Sequence, residues 1–317
     1  MHTPPTSADA AVTAAVVDAD PPTPRTPRRY KDGALPYLLL APVLILLSIF
    51  VILPTAIAIY LSFFNWSFYE ASEFVGLKNF TDVLTDPKFR DTIVRGLQFV
   101  LMTVPIGLLL SFMFASFCVA VGRRFASVLK VSIYLPTIIS GVITSIVFGV
   151  IYEYSGGLLN ALMIKMGQTP QAWIGDPELA LKAIAAPAVW LGLGLTSLIM
   201  VAAMLDIPNE MYEAASLEGA NWFQKTLFIT LPQMKNVILY LLITGFVGAI
   251  QQFELPLVMT GGGPMESTTL PNLFIFNHFR GDTYTGYSIA AALLLFVVLG
   301  TISAGIFRVL NSEKLVD

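Results

Sequence analysis

The chain has 317 residues, 56% of them hydrophobic and 12% charged, and a mean hydropathy of +0.74. Soluble domains carry charge on about a quarter of their residues, so a water-soluble globular protein is excluded and a polytopic, all-α membrane protein is implied. The formal net charge of −3 discriminates little, because in such proteins the placement of Lys and Arg between spans carries the information, and no charge pattern marks a nucleic-acid partner.

In chain order, residues 1–33 come first, rich in Pro, Ala, Thr and Asp and without an apolar run. They read as a disordered cytoplasmic tail ahead of a transmembrane domain at 34–317. A bilayer core about 30 Å thick needs about 20 apolar residues per helix. Six segments qualify, at 35–64, 93–121, 131–152, 183–205, 237–258 and 287–310. Pro36, Pro42 and Pro54 predict bends in the first. Six crossings put both termini on one side. That side holds Arg25, Arg28, Arg29, Lys31, Arg123, Arg124, Lys130, Lys225, Lys235, Arg308 and Lys314, against Lys78, Lys88, Arg90, Arg95, Lys165, Lys182 and Arg280 on the other. The positive-inside bias makes the first set, and both termini, cytoplasmic in the cell membrane.

The outer connections, 65–92, 153–182 and 259–286, carry Trp66, Tyr69, Trp173 and Tyr284 as interfacial anchors. Asp86-Pro87 predicts a helix start, with Asp as cap and Pro in the first turn. Gly261-Gly-Gly-Pro264 is a turn; no Lys-Ser/Thr follows it, which excludes a phosphate loop. Cys118 is the only cysteine, and His2 and His278 the only histidines. An intrachain disulfide and a protein-only Cys/His metal site are therefore ruled out. In its apolar run, Cys118 reads as a small packed or lipid-facing residue.

Between the fourth and fifth spans, 206–233 departs from the apolar pattern as a helix–turn–helix. Pro208 lies in a first turn, and Glu210 and Glu213 sit where a helix N-terminus favours negative charge. Gly219 suits the left-handed position past a helix end, and Asn221 with Gln224 predicts a capping box that opens a second helix. Tyr212, Ala214, Ala215 and Leu217 would give the first helix a small apolar face bordered by acids. Such a face fits a knob for a partner's groove, and it equally fits an amphipathic loop on the membrane surface.

Glu213-Ala-Ala, Gly219, Ile229 and Leu231-Pro232, at this spacing and without a gap, resemble the EAA signature of binding-protein-dependent ABC importer permeases. Phe74-Val-Gly-Leu-Lys-Asn-Phe80, Leu135-Pro136, Gly157-Leu-Leu-Asn160, Trp190 and Thr260-Gly-Gly-Gly-Pro264 look like the carbohydrate-uptake branch, similar to the maltose permease family. The resemblance implies that Glu213, Ala214, Ala215, Gly219, Ile229, Leu231 and Pro232 form a coupling helix and its attachment. It further implies a second permease subunit, two ATP-binding subunits and an extracytoplasmic solute-binding protein. ATP and Mg would be used by those partners, with no cofactor bound and no catalytic or metal site in this chain.

A neutral, hydroxylated solute needs amides, hydroxyls and an aromatic face along its path. Gln251, Gln252 and Phe253 in the fifth span supply that combination, although buried amides also bond helix to helix. Gly192, Gly194, Thr196 and Ser197 leave space on the fourth span, for solute or for close packing. The resemblance points to Gly192, Leu195 and Gln252 as solute contacts. Leu195 departs from the aromatic of the maltose permease, and Gly248 and Ala249 replace larger groups, which argues against maltose itself. Glu254, the one carboxylate in the fifth span, reads as a snorkelling or interhelix-bonded group near the outer boundary, and Pro256 as an early helix break. The alternative function, a stand-alone secondary transporter or channel, needs intramembrane ionisable groups, and only Glu254 offers itself. A membrane-embedded enzyme lacks any convergent nucleophile, base or metal set.

Overall fold

Lipid offers the backbone no hydrogen bonds, so each long apolar run has to satisfy its own amides as helix. The computed structural model describes residues 35–310; the tail expected at 1–33 lies outside the described residues, as does Lys314. Two compact units divide between Thr55 and Ala56. The first holds helix α1 (Leu35–Leu47), a π turn over Ser48–Ile52 and the beginning of α2 (Leu53–Leu61). Of the bends predicted from Pro36, Pro42 and Pro54, only the last has a backbone departure beside it. Pro54 brings no N–H to the carbonyl four residues back and crowds it with its ring. The widened turn, closed by the Leu53 N–H on the Ser48 carbonyl, relieves that crowding.

The second unit continues through a short antiparallel pair, Phe64–Asn65 with Glu73–Phe74, and is otherwise helical. Its helices are α3 (Lys78–Thr85), α4 (Pro87–Ala120), α5 (Arg123–Ile138), α6 (Gly141–Ile151), α7 (Leu158–Lys165) and α8 (Ala180–Leu205). There follow α9 (Asn209–Leu217), α10 (Trp222–Lys225), α11 (Leu231–Gln233), α12 (Lys235–Ile250), α13 (Glu254–Met259), α14 (Pro271–Gly281) and α15 (Gly286–Leu310). Among the described residues five stretches are long and apolar enough to cross a bilayer: Tyr37–Leu61, Pro87–Ala120, Ala180–Leu205, Lys235–Met259 and Gly286–Leu310. A sixth crossing arises if α5 and α6, bent by 95°, count as one.

That bent pair corrects the single helix expected at 131–152. The helix begins at Arg123, and the chain turns at Ile139 and Ser140, both extended. Ser140 restarts it by accepting the Ile143 N–H at 3.3 Å, an N-cap in the middle of an apolar run. The fifth span, expected at 237–258, is likewise interrupted. The break lies at 251–253, and Pro256 falls in the first turn of α13, where its missing N–H costs nothing. At Asp86-Pro87 helix α4 starts as predicted, with the Asp86 carboxylate accepting the Lys88 N–H at 2.8 Å.

Helix α4 packs along α8 and α12, and α5 also lies on α8. Where α4, α8 and α12 meet at one end, Ala115, Cys118, Met200, Val201, Met204, Met234 and Leu241 form a buried cluster, so Cys118 is packed inside protein. At the other end Phe99, Leu181, Ile184, Leu255 and Leu270 do the same. The connections read as outer contain helices α3, α7 and α14. Leu273 and Phe274 of α14 are buried, with Phe274 against Phe89, Ala290 and Ala291.

Candidate functional site

Helix α9 is only nine residues long, and the turn that ends it is closed by local hydrogen bonds. The Ala220 N–H reaches the Ala215 carbonyl at 2.9 Å and the Gly219 N–H the Ser216 carbonyl at 3.1 Å. This is the paired Schellman closure, and it demands a left-handed residue that glycine accepts freely; Gly219 has φ of +79°. The predicted capping box follows: Asn221 Oδ1 accepts the Gln224 N–H at 2.9 Å and Gln224 Oε1 the Asn221 N–H at 2.8 Å. Pro208 sits at the N-cap of α9 rather than inside its first turn.

The apolar face expected of Tyr212, Ala214, Ala215 and Leu217 divides between two sides of the helix. Tyr212 and Ala215 are half-buried, and Tyr212 packs on the α4–α8–α12 cluster with its hydroxyl 2.9 Å from Thr230 Oγ1. The opposite side exposes Glu210, Glu213, Ala214 and Leu217, Leu217 being 90% exposed. These positions are related as i, i+3, i+4 and i+7, one face of a helix.

From Trp222 the chain runs into α12 through a π turn over Thr226–Thr230, closed by the Leu231 N–H on the Thr226 carbonyl. Pro232 follows two residues after this turn, as Pro54 follows the other, and for the same reason. Ile229 packs against the cluster that holds Met204 and Met234. The surface of α9 is therefore tied to the long helices by Tyr212 and Ile229, while Glu213 and Ala214 face outward and Pro232 is exposed.

A cavity of about 220 Å³ lies between α4, α8 and α12, and Gly192, Thr196 and Gln252 line it. Thr103 and Gly107 of α4 and Gly245 and Gly248 of α12 also line it, and the rest of its wall is apolar. Sequence reasoning missed the α4 contribution; a threonine and a glycine spaced i, i+4 in an apolar helix were its trace. A methyl on Gly192 would meet nothing within 4 Å, whereas one on Gly194 would run into Thr137 Oγ1 and the Ile133 carbonyl. Gly194 thus serves the close crossing of α5 and α8, which the Thr137 hydroxyl bridges to the Leu191 carbonyl at 3.2 Å. Ser197 is buried.

Three sequence candidates lie outside this cavity. Leu195 is 53% exposed. Gln251 is exposed, and its backbone carbonyl accepts the Asn272 side-chain amide at 2.8 Å. Phe253 stacks on Phe276 with ring centroids 5.7 Å apart. Glu254 lies over Gly141, so that a side chain at 141 would strike its carboxylate. It therefore faces the N-terminus of α6, where negative charge is favoured.

The model of the family described as "Binding-protein-dependent transport system inner membrane component" matches residues 84–315. The trehalose/maltose transport system permease protein MalF of Thermococcus litoralis is 31% identical over 274 residues, 86% of this chain and 92% of its own. The sulfoquinovosyl glycerol transport system permease protein SmoG of Agrobacterium fabrum is 30% identical over 286 residues, 89% of this chain and 92% of its own. Among solved structures, a chain of a bacterial ABC transporter involved in the import of the acidic polysaccharide alginate superposes with a TM-score of 0.76. Its identity is 21%, covering 88% of this chain and 96% of that one, a likeness that shows the fold.

Proposed function

Because this chain belongs to the family of binding-protein-dependent transport system inner membrane components, we propose that it is the transmembrane subunit of an ATP-driven ABC importer for a sugar or sugar-like solute. Its relatives are named for trehalose and maltose and for sulfoquinovosyl glycerol, and the solute class is carried over from them. The carrying observation is the exposed Glu210, Glu213, Ala214 and Leu217 stripe on α9, rigidly ended by Gly219 and tied through Tyr212 and Ile229 to the membrane helices. A partner seated on that stripe and moving as a rigid body would drag α4, α8 and α12 with it.

The partners that fit are two ATP-binding subunits, which would bind the ATP and Mg, together with a second permease subunit and an extracytoplasmic solute-binding protein. Both termini and 206–233 then face the cytoplasm, and 34–317 acts as one permease domain. The cavity supports half of a shared path. Its volume of about 220 Å³ falls below the roughly 300–1,000 Å³ of complete small-molecule sites, and no residue lining it is ionisable, which suits a neutral, hydroxylated ligand.

The test is uptake in lipid vesicles containing this chain with its permease and ATPase partners. Gly219→Asp puts a side chain and a negative charge at φ of +79°, a left-handed conformation that costs an ordinary L-residue about 1–2 kcal/mol and aspartate less. Membrane insertion is expected to survive while transport and ATPase docking are lost. Normal uptake by that variant, or uptake by the lone wild-type chain, would overturn the proposal. Gln252→Ala is expected to weaken the apparent affinity for solute about three- to tenfold, the weight of one hydrogen bond, with assembly intact. Unchanged transport kinetics would remove the cavity from the path.

A further inference from the structure

Behind α9, on the side away from its acidic stripe, a second cavity of about 360 Å³ opens between that segment and the ends of α4 and α8. Its wall changes character from one side to the other. Val119, Ala120, Met204 and Leu205 make an apolar side continuous with the membrane helices, and Asn209, Thr226 and Lys225 make a polar one. Trp222, 68% exposed, also lines it, and an indole is at home between hydrocarbon and headgroups.

Lys225 is half-buried along its stem, and its ammonium bonds the exposed Ser216 hydroxyl at 2.7 Å; among the described residues no carboxylate pairs with it. Four residues beyond Ala120, Arg124 with its neighbour Arg123 opens α5, and neither has a carboxylate partner among the described residues. The charges of the segment therefore separate by sign, with Glu210 and Glu213 on the outward stripe and Lys225 among the residues that line the cavity.

We propose that this cavity holds an anionic phospholipid of the adjoining leaflet, its phosphate on Lys225 and its acyl chain along Val119 and Leu205. An apolar wall leading to a cation without a carboxylate partner matches a lipid from end to end, whereas a soluble anion would leave the apolar wall uncovered. The lipid fills the space between α9 and the long helices, and so stiffens the joint on which the transport proposal relies. The site itself depends only on the chain's spanning a membrane.

The test places the full chain in phosphatidylcholine bilayers and titrates it with brominated phosphatidylglycerol or brominated phosphatidylcholine, which quench nearby indoles. The difference between wild type and Trp222→Phe isolates the Trp222 signal. Half-quenching is expected at about fivefold lower mole fraction of the anionic lipid, the weight of one lysine at a charged headgroup. Lys225→Gln is expected to abolish that preference and Lys225→Arg to keep it. Equal quenching by both lipids in the wild type overturns the proposal, and this comparison stands even if Lys225→Gln does not fold. A preference surviving in Lys225→Gln also overturns it. So does relief of quenching by inorganic phosphate, which would mark a soluble-anion site, or by added ATPase subunits, which would assign the cavity to a protein.

Discussion

Helix α9 and the connection at 259–286 both lie in polar sequence between apolar helices, yet they treat their polar side chains in contrasting ways. The connection at 259–286 is stitched to itself and to its surroundings. Thr268 is fully buried, with its hydroxyl 2.8 Å from the Gly263 carbonyl and 2.7 Å from Thr260 Oγ1. Lys88 pairs with Glu266 at 3.0 Å. Tyr284 donates its hydroxyl to Glu70, and that bond, with the carboxylate's charge, holds its pKa above the ordinary tyrosine value. In α9 no residue is buried, and Glu210, Glu213 and Glu218 have no ion-pair partner among the described residues. Polar groups satisfied within the chain stabilise the fold, and polar groups left unpaired on a rigid helix are offered to something else.

The comparison breaks most sharply at Leu217. Leu217→Asp replaces a side chain that is 90% exposed, so the lone chain is expected to keep its thermal midpoint. Association with the ATPase subunits should lose about 2 kcal/mol or more if Leu217 anchors the contact, close to a thirtyfold weakening. Binding titration of the reconstituted chain checks it, and unaltered affinity would make the stripe an ordinary wet surface. Thr268→Val should do the reverse, costing about 1–3 kcal/mol of stability through the orphaned partners while leaving ATPase association alone. A thermal melt in detergent reads this, and an unchanged midpoint would deny that the loop is self-stitched. Lys88→Gln sharpens the contrast least. With the Lys88 and Glu266 side chains 64% and 54% exposed, the loss should stay below about 1 kcal/mol and vanish in high salt.

Much of the segment at 206–233 was legible because its chemistry is local. Gly219 as the left-handed cap and Asn221 with Gln224 as a capping box each involve groups within a turn of one another, so residue type and spacing suffice. Which side of α9 faces out was not legible. That depends on Tyr212 reaching Thr230 and on the cluster beneath it, contacts made only when the chain folds back. The candidate cavity shows the same division. Gly192 and Gly194 are indistinguishable as letters two residues apart, and only the approach of Thr137 and the Ile133 carbonyl of α5 makes one a packing contact and leaves the other open.

By itself, then, the sequence determined that the chain spans a membrane, where its long apolar runs lie, and how the polar segment turns, since apolar length and cap chemistry act over a few neighbouring residues. Tertiary structure alone decided the 95° bend between α5 and α6, the interruption at 251–253 that places Gln252 in the cavity, and the helices α3, α7 and α14 in the connections between spans. The physical reason is the solvent. Lipid is as apolar as a protein core, so a helix surface facing a neighbour carries the same kinds of side chain as one facing the bilayer, and only the neighbours tell them apart.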